Sequence, residues 1–200
     1  MLVSDLRHFQ GAPLLESGPA LRLANHLMAV ARAASAGDRG PAWVSALPCR
    51  RRPGRKPCPG TIAIARIDVP ASVHWRCTAC HDEGLLRGWE QGPFDLRPVP
   101  GTERVTTPEG GAPEQPGGSR QVVLSVDAAA ALRTMEELDV RAERLVYRAR
   151  PLGDAVLVEG GDEELGQLLE HVAAEATHEE NRRRRKRLDA LYEELEAQVG

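Results

Sequence analysis

The chain has 200 residues, of which 42% are hydrophobic, 28% are charged and only 4% are aromatic. This composition is typical of a folded protein with an aliphatic core, and the lack of any run of about 18 apolar residues argues against a membrane-spanning helix. The net charge of −3 is unevenly distributed, because residues 1–100 carry 13 basic against 8 acidic side chains and residues 101–200 carry 13 against 21.

The N-terminal stretch MLVSDLRHFQG carries Asp5 and His8 and lacks the basic and then apolar pattern of a signal peptide. The sequence therefore predicts a cytoplasmic protein. A helix is predicted from residue 19 to about residue 35, because aliphatic side chains recur on one face there and Pro19 suits a first helical turn.

Three strands are predicted in the middle of the first half. TIAIARIDV, residues 61–69, alternates in hydrophobicity, and residues 72–77 would return as its antiparallel partner around a turn at Pro70. GLLRGW, residues 84–89, is predicted as the third strand. Together these strands would form a small β module.

A stretch rich in proline and glycine separates the two halves of the chain. Residues 97–120 contain five prolines and five glycines and no apolar periodicity, which is typical of a linker. We therefore predict a helix plus a small β module over residues 1–95, a linker over 96–120, and a small α+β unit over 121–200.

The second unit is predicted to have an αββα arrangement that ends in a long helix. Its apolar runs are short, and turn residues or acidic helix-capping residues separate them. The predicted elements are a strand over 121–126, a helix over 128–138 capped by Asp127, a hairpin of 143–150 with 154–160, and a helix from Asp162 through Gln198.

The chain contains four cysteines, all within or next to the predicted β module. Cys77 and Cys80 form a C-x2-C pair, a spacing that lets two thiolates bind one ion. Eighteen residues separate Cys58 from Cys77, which is enough for a hairpin that brings both cysteine pairs to the same end of a sheet. This is the layout of a zinc ribbon, so the predicted module over residues 1–95 is a helix plus a zinc-ribbon-like unit. Because cytosolic thiols are reduced by default, the pattern predicts a zinc site formed by Cys49, Cys58, Cys77 and Cys80.

The first cysteine pair departs from the usual ribbon spacing. CRRRPGRKPC places eight residues between Cys49 and Cys58, although its Pro-Gly pair could turn the loop so that both sulfurs converge. The long spacing also admits His74 or His81 as a substitute ligand, and buried apolar thiols or a redox pair remain open. Four thiolates would close the coordination sphere of zinc, which indicates a structural role and not a catalytic one.

The loop between the first two cysteines, with the residues after it up to the first strand, is basic and contains no acidic residue. Arginine binds phosphate oxygens in a bidentate manner, and tryptophans could stack on unpaired bases. The alternative is a solvated loop beside tryptophans that lie in a small core, and the pI of about 6.1 argues against a dedicated nucleic-acid-binding protein. The candidate binding residues are Arg50, Arg51, Arg52, Arg55 and Lys56, with Trp43, Trp75 and Trp89 as stacking residues.

A second basic run, RRRRKR, covers residues 182–187. Six consecutive helical residues point in all directions, which favours a solvated collar with Glu179–Arg183 and Glu180–Arg184 ion pairs. Contact with phosphate or with an acidic partner is the alternative for this run.

The predicted C-terminal helix carries two further features. His171, Glu175 and His178 lie at i, i+4 and i+7, so they share one face and are an alternative metal-binding site. An ordinary polar helix face is the favoured interpretation, because such metal sites also need carboxylates from other helices. Apolar residues at near-heptad spacing over 188–199 could pack on the same chain or form a homodimer.

Four stretches together resemble a group of uncharacterised bacterial proteins with a zinc-ribbon-like four-cysteine module: CRRRPGRKPCPG, WRCTACHDEGLLRGWE, AERLVYRAR and VAAEATHEENRRRRKRLD. The likeness covers most of the chain outside the linker. It implies a bacterial, cytoplasmic protein and transfers no functional residue.

The sequence thus predicts an α+β, non-enzymatic interaction protein. A structural zinc would hold the basic loop for binding to a nucleic acid or an acidic protein, and no membrane contact is expected. The sequence contains no phosphate-binding glycine loop, no His-Glu-x-x-His motif and no nucleophile elbow. Their absence argues against an enzyme without excluding one. The alternatives are a metal-dependent enzyme that uses the His171–His178 face and a structural dimer formed through 188–199.

Overall fold

A computed structural model describes residues 1–9, 18–37, 42–97 and 119–200. The α+β class is confirmed, because this part of the chain combines a five-stranded sheet, a three-stranded sheet and five α-helices. The strands are β1 (Leu2–Asp5), β2 (Trp43–Pro48), β3 (Thr61–Asp68), β4 (Ala71–Cys77), β5 (Glu83–Arg87), β6 (Arg120–Ser125), β7 (Arg150–Leu152) and β8 (Ala155–Gly160). The helices are α1 (Pro19–Ala36), α2 (Val126–Leu132), α3 (Val140–Tyr147), α4 (Asp162–His178) and α5 (Arg182–Val199).

The first sheet has the strand order β1-β5-β4-β3-β2 and contains the predicted hairpin and third strand. The β3–β4 register places Ile62 opposite Cys77 and Ile64 opposite Trp75. These four side chains are buried, which is the pattern expected when one face of a pleated sheet covers a core. The register therefore places Cys77 at the end of this row of buried side chains.

Two strands of this sheet were not predicted from the sequence. β1 pairs in parallel with β5, and β2 pairs with β3 around a register shift between Val44 and Pro48. β1 has only four residues, so a periodicity of two is hard to detect in it. In β2, consecutive buried residues over 45–47 obscure the alternation.

The second sheet has the order β6-β8-β7, and side chains of α5 cover the outer edge of β6. The Gln198 side chain accepts from the Val123 amide at 2.9 Å and donates to the Val123 carbonyl at 2.8 Å. Glu194 accepts from the Ser125 amide at 2.9 Å and from its hydroxyl at 2.8 Å. These bonds satisfy edge groups that could otherwise pair with another chain.

The predicted strand over 143–150 is wrong. Those residues lie largely in α3, where Asp139 caps the helix by accepting from the Ala142 amide at 2.8 Å. Ala142, Leu145 and Val146 are buried at helical spacing, and α3 packs against α1. A short apolar run has no decisive periodicity, so tertiary packing selects the helix here.

The predicted helix over 128–138 is also misplaced. It begins at Val126, and its cap is Ser125, whose hydroxyl accepts from the Ala128 amide at 3.1 Å, and not Asp127. The helix ends at Leu132. The hairpin that follows α3 pairs β7 with β8, so one predicted hairpin strand is confirmed over 155–160.

The predicted continuous helix from Asp162 through Gln198 is two helices. Asn181 separates α4 from α5, because its side chain accepts from the Arg183 and Arg184 amides at 3.0 and 3.2 Å and so starts a new helix. The two helices pack on each other. The apolar side chains of α5, Leu188, Leu191 and Leu195, are buried within the same chain, which is the packing alternative to the predicted homodimer.

Contacts join the elements before and after residues 98–118, which lie outside the described part. The Ala46 amide donates to the Ala149 carbonyl at 2.9 Å beside β7, and α1 packs on α3. Arg32 of α1 forms an ion pair with Glu143 of α3 at 3.2 Å. The predicted 96–120 linker falls almost entirely outside the described residues. Among the described helices, none combines the length and apolar character needed to cross a membrane.

Candidate metal centre

The four cysteine sulfurs meet at one end of the first sheet. All four Sγ atoms lie within 4.8 Å of one another. The Cys49–Cys80 sulfur distance is 3.6 Å and the Cys58–Cys77 distance is 3.7 Å. A tetrahedral ion with metal–sulfur bonds of about 2.3 Å requires sulfur–sulfur distances of about 3.8 Å, so this cluster fits a four-thiolate metal site.

Strand ends bring the four cysteines together. Cys49 follows β2, Cys58 precedes β3, Cys77 ends β4, and Cys80 lies in the turn before β5. Backbone hydrogen bonds tie these segments: the Cys49 amide donates to the Gly60 carbonyl at 2.9 Å and the Cys77 amide to the Asp82 carbonyl at 2.8 Å. The pairing of β2, β3 and β4 therefore positions the cluster.

The unusual eight-residue spacing is accommodated by a tight turn. A short 3-10 turn over Pro53–Arg55 reverses the chain, and Gly54 and Arg55 adopt positive φ angles of 58° and 65°. The Cys58 amide then donates to the Arg51 carbonyl at 3.0 Å. The Pro-Gly pair thus performs the turn that the sequence predicted, and both sulfurs of the first pair converge.

Backbone amides point at two of the buried sulfurs. The Arg51 amide donates to Cys49 Sγ, and the Ala79 and Cys80 amides donate to Cys77 Sγ, each at 3.4 Å. Burial acts to raise the pKa of Cys77, but hydrogen bonds from these two amides, together with those of the Cys49 and Cys80 side chains, lower that pKa to about 7. Burial raises the pKa of Cys49. Because only the thiolate form of cysteine binds a metal, metal binding would displace protons from the thiols of the cluster.

Gly60 leaves no space for a side chain beside the cluster. A Cβ atom there would lie 2.5 Å from Cys77 Sγ and 2.8 Å from the Ala79 amide nitrogen. Both distances are below van der Waals contact. The close approach of the backbone at Gly60 is thus part of the geometry that lets the sulfurs converge.

We expect Gly60→Ala to impair metal binding far more than an alanine at an open glycine. The added methyl group must displace Cys77 Sγ or the Ala79 backbone, which disturbs the close approach of the four sulfurs. Titration with a metal in competition with a chelator should show affinity lower by about tenfold or more. Gly166→Ala in α4, where no atom lies within 4 Å of the added Cβ, is the control. Equal affinities of the two variants would contradict the proposed role of Gly60.

Neither candidate substitute histidine belongs to the cluster. Within the described part of the chain, the four cysteines are the one group of three or more His, Cys, Asp or Glu side chains placed to hold a metal. His74 is exposed on β4, and His81 is exposed with a positive φ of 57° in the turn after Cys80. The candidate ligand set is therefore the four cysteine sulfurs.

The alternative metal face on α4 does not form a ligand group. His171 approaches Asp139 at 3.7 Å, and Glu175 is bound by Arg184 of α5. His178 is exposed at the last residue of α4. Glu175 is therefore held in an ion pair with a neighbouring helix, and the three side chains are absent from the metal-binding groups among the described residues.

The basic loop, defined as residues 50–56, contains one arginine that forms an ion pair and four exposed cations. Arg50 pairs with Asp82 at 3.0 Å, and its guanidinium lies 5.9 Å from the centre of the Trp75 ring. It therefore fastens the loop to the turn that carries Cys80. The remaining side chains are exposed: Arg51, Arg52, Arg55 and Lys56.

Two of the three tryptophans are unavailable for stacking on bases. Trp75 is 2% exposed and Trp89 is fully buried, so the prediction that they stack on unpaired bases is wrong. They supply apolar volume to a core that is poor in aromatic residues. Trp43 is half-buried, and the guanidinium of Arg150 lies 5.9 Å from its ring centre.

Sequence reasoning missed a histidine beside the centre. His26 of α1 contacts the Trp75 ring edge to face, with ring centres 5.3 Å apart. Burial, and then the charge of Arg50, lowers the pKa of His26 to about 4. The histidine is therefore neutral in the folded state at neutral pH. An isolated histidine within a helix gives no sequence signal of such a contact.

We expect His26 to make the protein less stable in acid. Its pKa is about 4 when folded against 6.5 as a model value, so only the unfolded state binds the proton between these pH values. The free energy of unfolding should fall by about 3 kcal/mol as the pH falls from 7 to 4. The free energy of unfolding of His26→Gln, measured with a denaturant, should not show this decrease of about 3 kcal/mol. The exposed control His74→Gln should show it in full. Parallel pH profiles for His26→Gln and the wild type would contradict the account.

Comparison of the chain with protein-family models, curated proteins and solved structures finds no match. The resemblance to the bacterial group therefore stays a prediction. Fold and site together define an α+β protein with a four-cysteine cluster that could bind a metal.

Proposed function

We propose that the cysteine cluster holds a structural zinc ion and that the metal fixes the basic loop for binding to the phosphate backbone of a nucleic acid. The observation that carries this proposal is the position of the loop. The loop lies between Cys49 and Cys58, which both belong to the cluster, and it carries four exposed cations. Metal binding and presentation of the cations are thus coupled.

The ligand chemistry supports zinc. Four cysteine sulfurs in a tetrahedral arrangement are typical of structural zinc sites, which leave no open position for water or substrate. Three of the four cysteines are buried, and Cys80 is exposed. The amides that donate to the sulfurs stabilise thiolate charge, as is common around metal-bound cysteine.

The charge of the loop supports an anionic partner. Four thiolates and one divalent cation would carry a net charge of about −2, which nearby cations would partly offset. Arg50 already pairs with Asp82, yet Arg51, Arg52, Arg55 and Lys56 are in no ion pair among the described residues. Cations without a neighbouring acid are suited to phosphate oxygens.

The burial of Trp75 and Trp89 supports contact with the backbone and not with unpaired bases. Without a stacking surface, the loop offers charge and bidentate donors, which read no sequence directly. We therefore infer binding that is largely independent of sequence. The test is fluorescence anisotropy with a labelled duplex of about 20 base pairs over a salt series, since phosphate contacts make affinity fall linearly with salt on a logarithmic scale.

A further inference from the structure

A second candidate surface lies on the other half of the protein, between α2 and α5. Two cavities of about 380 and about 310 Å³ are both lined by Asp127, Arg183 and Arg187. They are therefore adjoining parts of one groove, which we call the α2–α5 groove.

The floor of the α2–α5 groove is apolar and open. Ala130 and Ala190 are exposed small residues on the two helices that form its walls, and the buried Leu188 and Leu191 contribute beneath them. Small side chains leave space between two helices, and an aliphatic side chain of a partner could fill that space.

Three cations form the rim of the groove. Arg183, Lys186 and Arg187 occupy positions i, i+3 and i+4 on one face of α5 and are all exposed. None of them is in an ion pair among the described residues, whereas Arg184 in the same run binds Glu175 and Glu179. Like charges at this spacing repel one another, so an acidic ligand would relieve the repulsion.

Few acids inside the groove compete for these cations. Glu194 lies in the groove, but its two oxygens accept hydrogen bonds from the Ser125 amide and hydroxyl. Asp127, which lines both cavities, is the other acidic residue of the groove. The rim therefore retains an excess of positive charge over the apolar floor.

We propose that the α2–α5 groove binds an acidic amphipathic helix of a partner protein. The partner's carboxylates would pair with Arg183, Lys186 and Arg187, and its aliphatic side chains would enter the groove beside Ala190. Helix-in-groove recognition combines these two features, whereas a phosphate backbone requires the cations but gains little from an apolar floor. The proposal does not depend on the metal centre or on the basic loop.

The test uses a fluorescein-labelled helical peptide of about 15 residues with glutamates and leucines on opposite faces. We expect saturable binding to the full chain, with amide shifts in 15N NMR spectra confined to α2 and the first half of α5. The triple variant Arg183→Gln, Lys186→Gln, Arg187→Gln should weaken binding by about tenfold or more. The triple variant Arg22→Gln, Arg87→Gln, Arg141→Gln removes the same charge from exposed sites elsewhere and should bind within about twofold of the wild type.

A further variant tests the groove itself while keeping its charges. Ala190 is exposed, so Ala190→Trp should leave the fold intact and fill the floor, again weakening binding by about tenfold. Unchanged binding by Ala190→Trp, equal binding of a peptide with serines in place of leucines, or no measurable peptide binding would each overturn the proposal. Displacement of the peptide from the groove by a short DNA duplex at lower concentration would assign the surface to nucleic acid instead.

Discussion

Chelation of the metal is expected to lower the thermal unfolding midpoint of the wild-type protein by about 10 °C. A ligand present at about 1,000 times its dissociation constant stabilises the folded state by about 4 kcal/mol, and 1 kcal/mol corresponds to about 2–4 °C in a protein of this size. The first sheet should respond most, because Cys49, Cys58 and Cys77 join the ends of β2, β3 and β4. Differential scanning calorimetry with and without a chelator measures the change.

A cysteine variant separates loss of the metal from loss of core packing. Cys80 is exposed, so Cys80→Ser removes a ligand without opening a cavity in the core. This variant should unfold near the midpoint of the chelated wild type and should not respond to added zinc. Thr78→Ser is the control, because Thr78 is exposed in the same turn and serine keeps the hydroxyl that accepts from the Thr61 amide. A chelated wild type as stable as the metal-loaded protein would contradict a structural metal.

Removal of the exposed arginines of the basic loop is expected to lower duplex affinity by at least about tenfold at moderate salt. Each phosphate contact contributes about 0.9 to the slope of log affinity against log salt for duplex DNA. The variant Arg51→Gln, Arg52→Gln, Arg55→Gln should therefore reduce that slope by up to about 2.7. Arg50 is left in place, because its ion pair with Asp82 fastens the loop. Anisotropy measured over a salt series gives both quantities.

Two controls keep this result interpretable. The variant Arg22→Gln, Arg87→Gln, Arg141→Gln lowers the net charge equally at exposed positions outside the loop and should keep most of the wild-type slope. The zinc content of the loop variant should equal that of the wild type, which excludes loss of the metal as the cause. Identical slopes for the loop variant and the charge control would reject the loop as the binding surface. The loop would be assigned to an acidic protein partner if the wild type binds no duplex but is retained on an acidic protein, and if that retention is lost in the loop variant but kept in the variant Arg183→Gln, Lys186→Gln, Arg187→Gln.

The β3–β4 hairpin and the cysteine cluster were predictable because their signals are local. Alternation over 61–69, a proline turn and a C-x2-C pair each specify short-range geometry. The convergence of Cys49 with Cys58 depends on the Pro-Gly turn inside the loop, which the sequence displays, and on the pairing of β2 with β3, which it does not. Such signals depend on neighbours a few residues apart, so a single sequence retains them.

Other features depend on contacts between distant segments. α3 is helical because it packs on α1, about a hundred residues earlier in the chain, and nothing within the 143–150 run specifies that contact. The pair of Arg50 with Asp82 likewise joins residues from two different turns. The break at Asn181 has a local cause, since asparagine is a favoured helix N-cap. The sequence does not distinguish this cap from an asparagine on the exposed face of one long helix, because the residues around it are all polar.

X-ray absorption spectroscopy of protein purified without chelators tests the central claim most directly, because it identifies the metal and its ligands in one sample. We expect a zinc edge, about one ion per chain, and a single shell of four sulfur neighbours at about 2.3 Å. Protein without bound metal, or a zinc shell that contains nitrogen or oxygen ligands in place of one or more sulfurs, would contradict a closed structural site formed by Cys49, Cys58, Cys77 and Cys80.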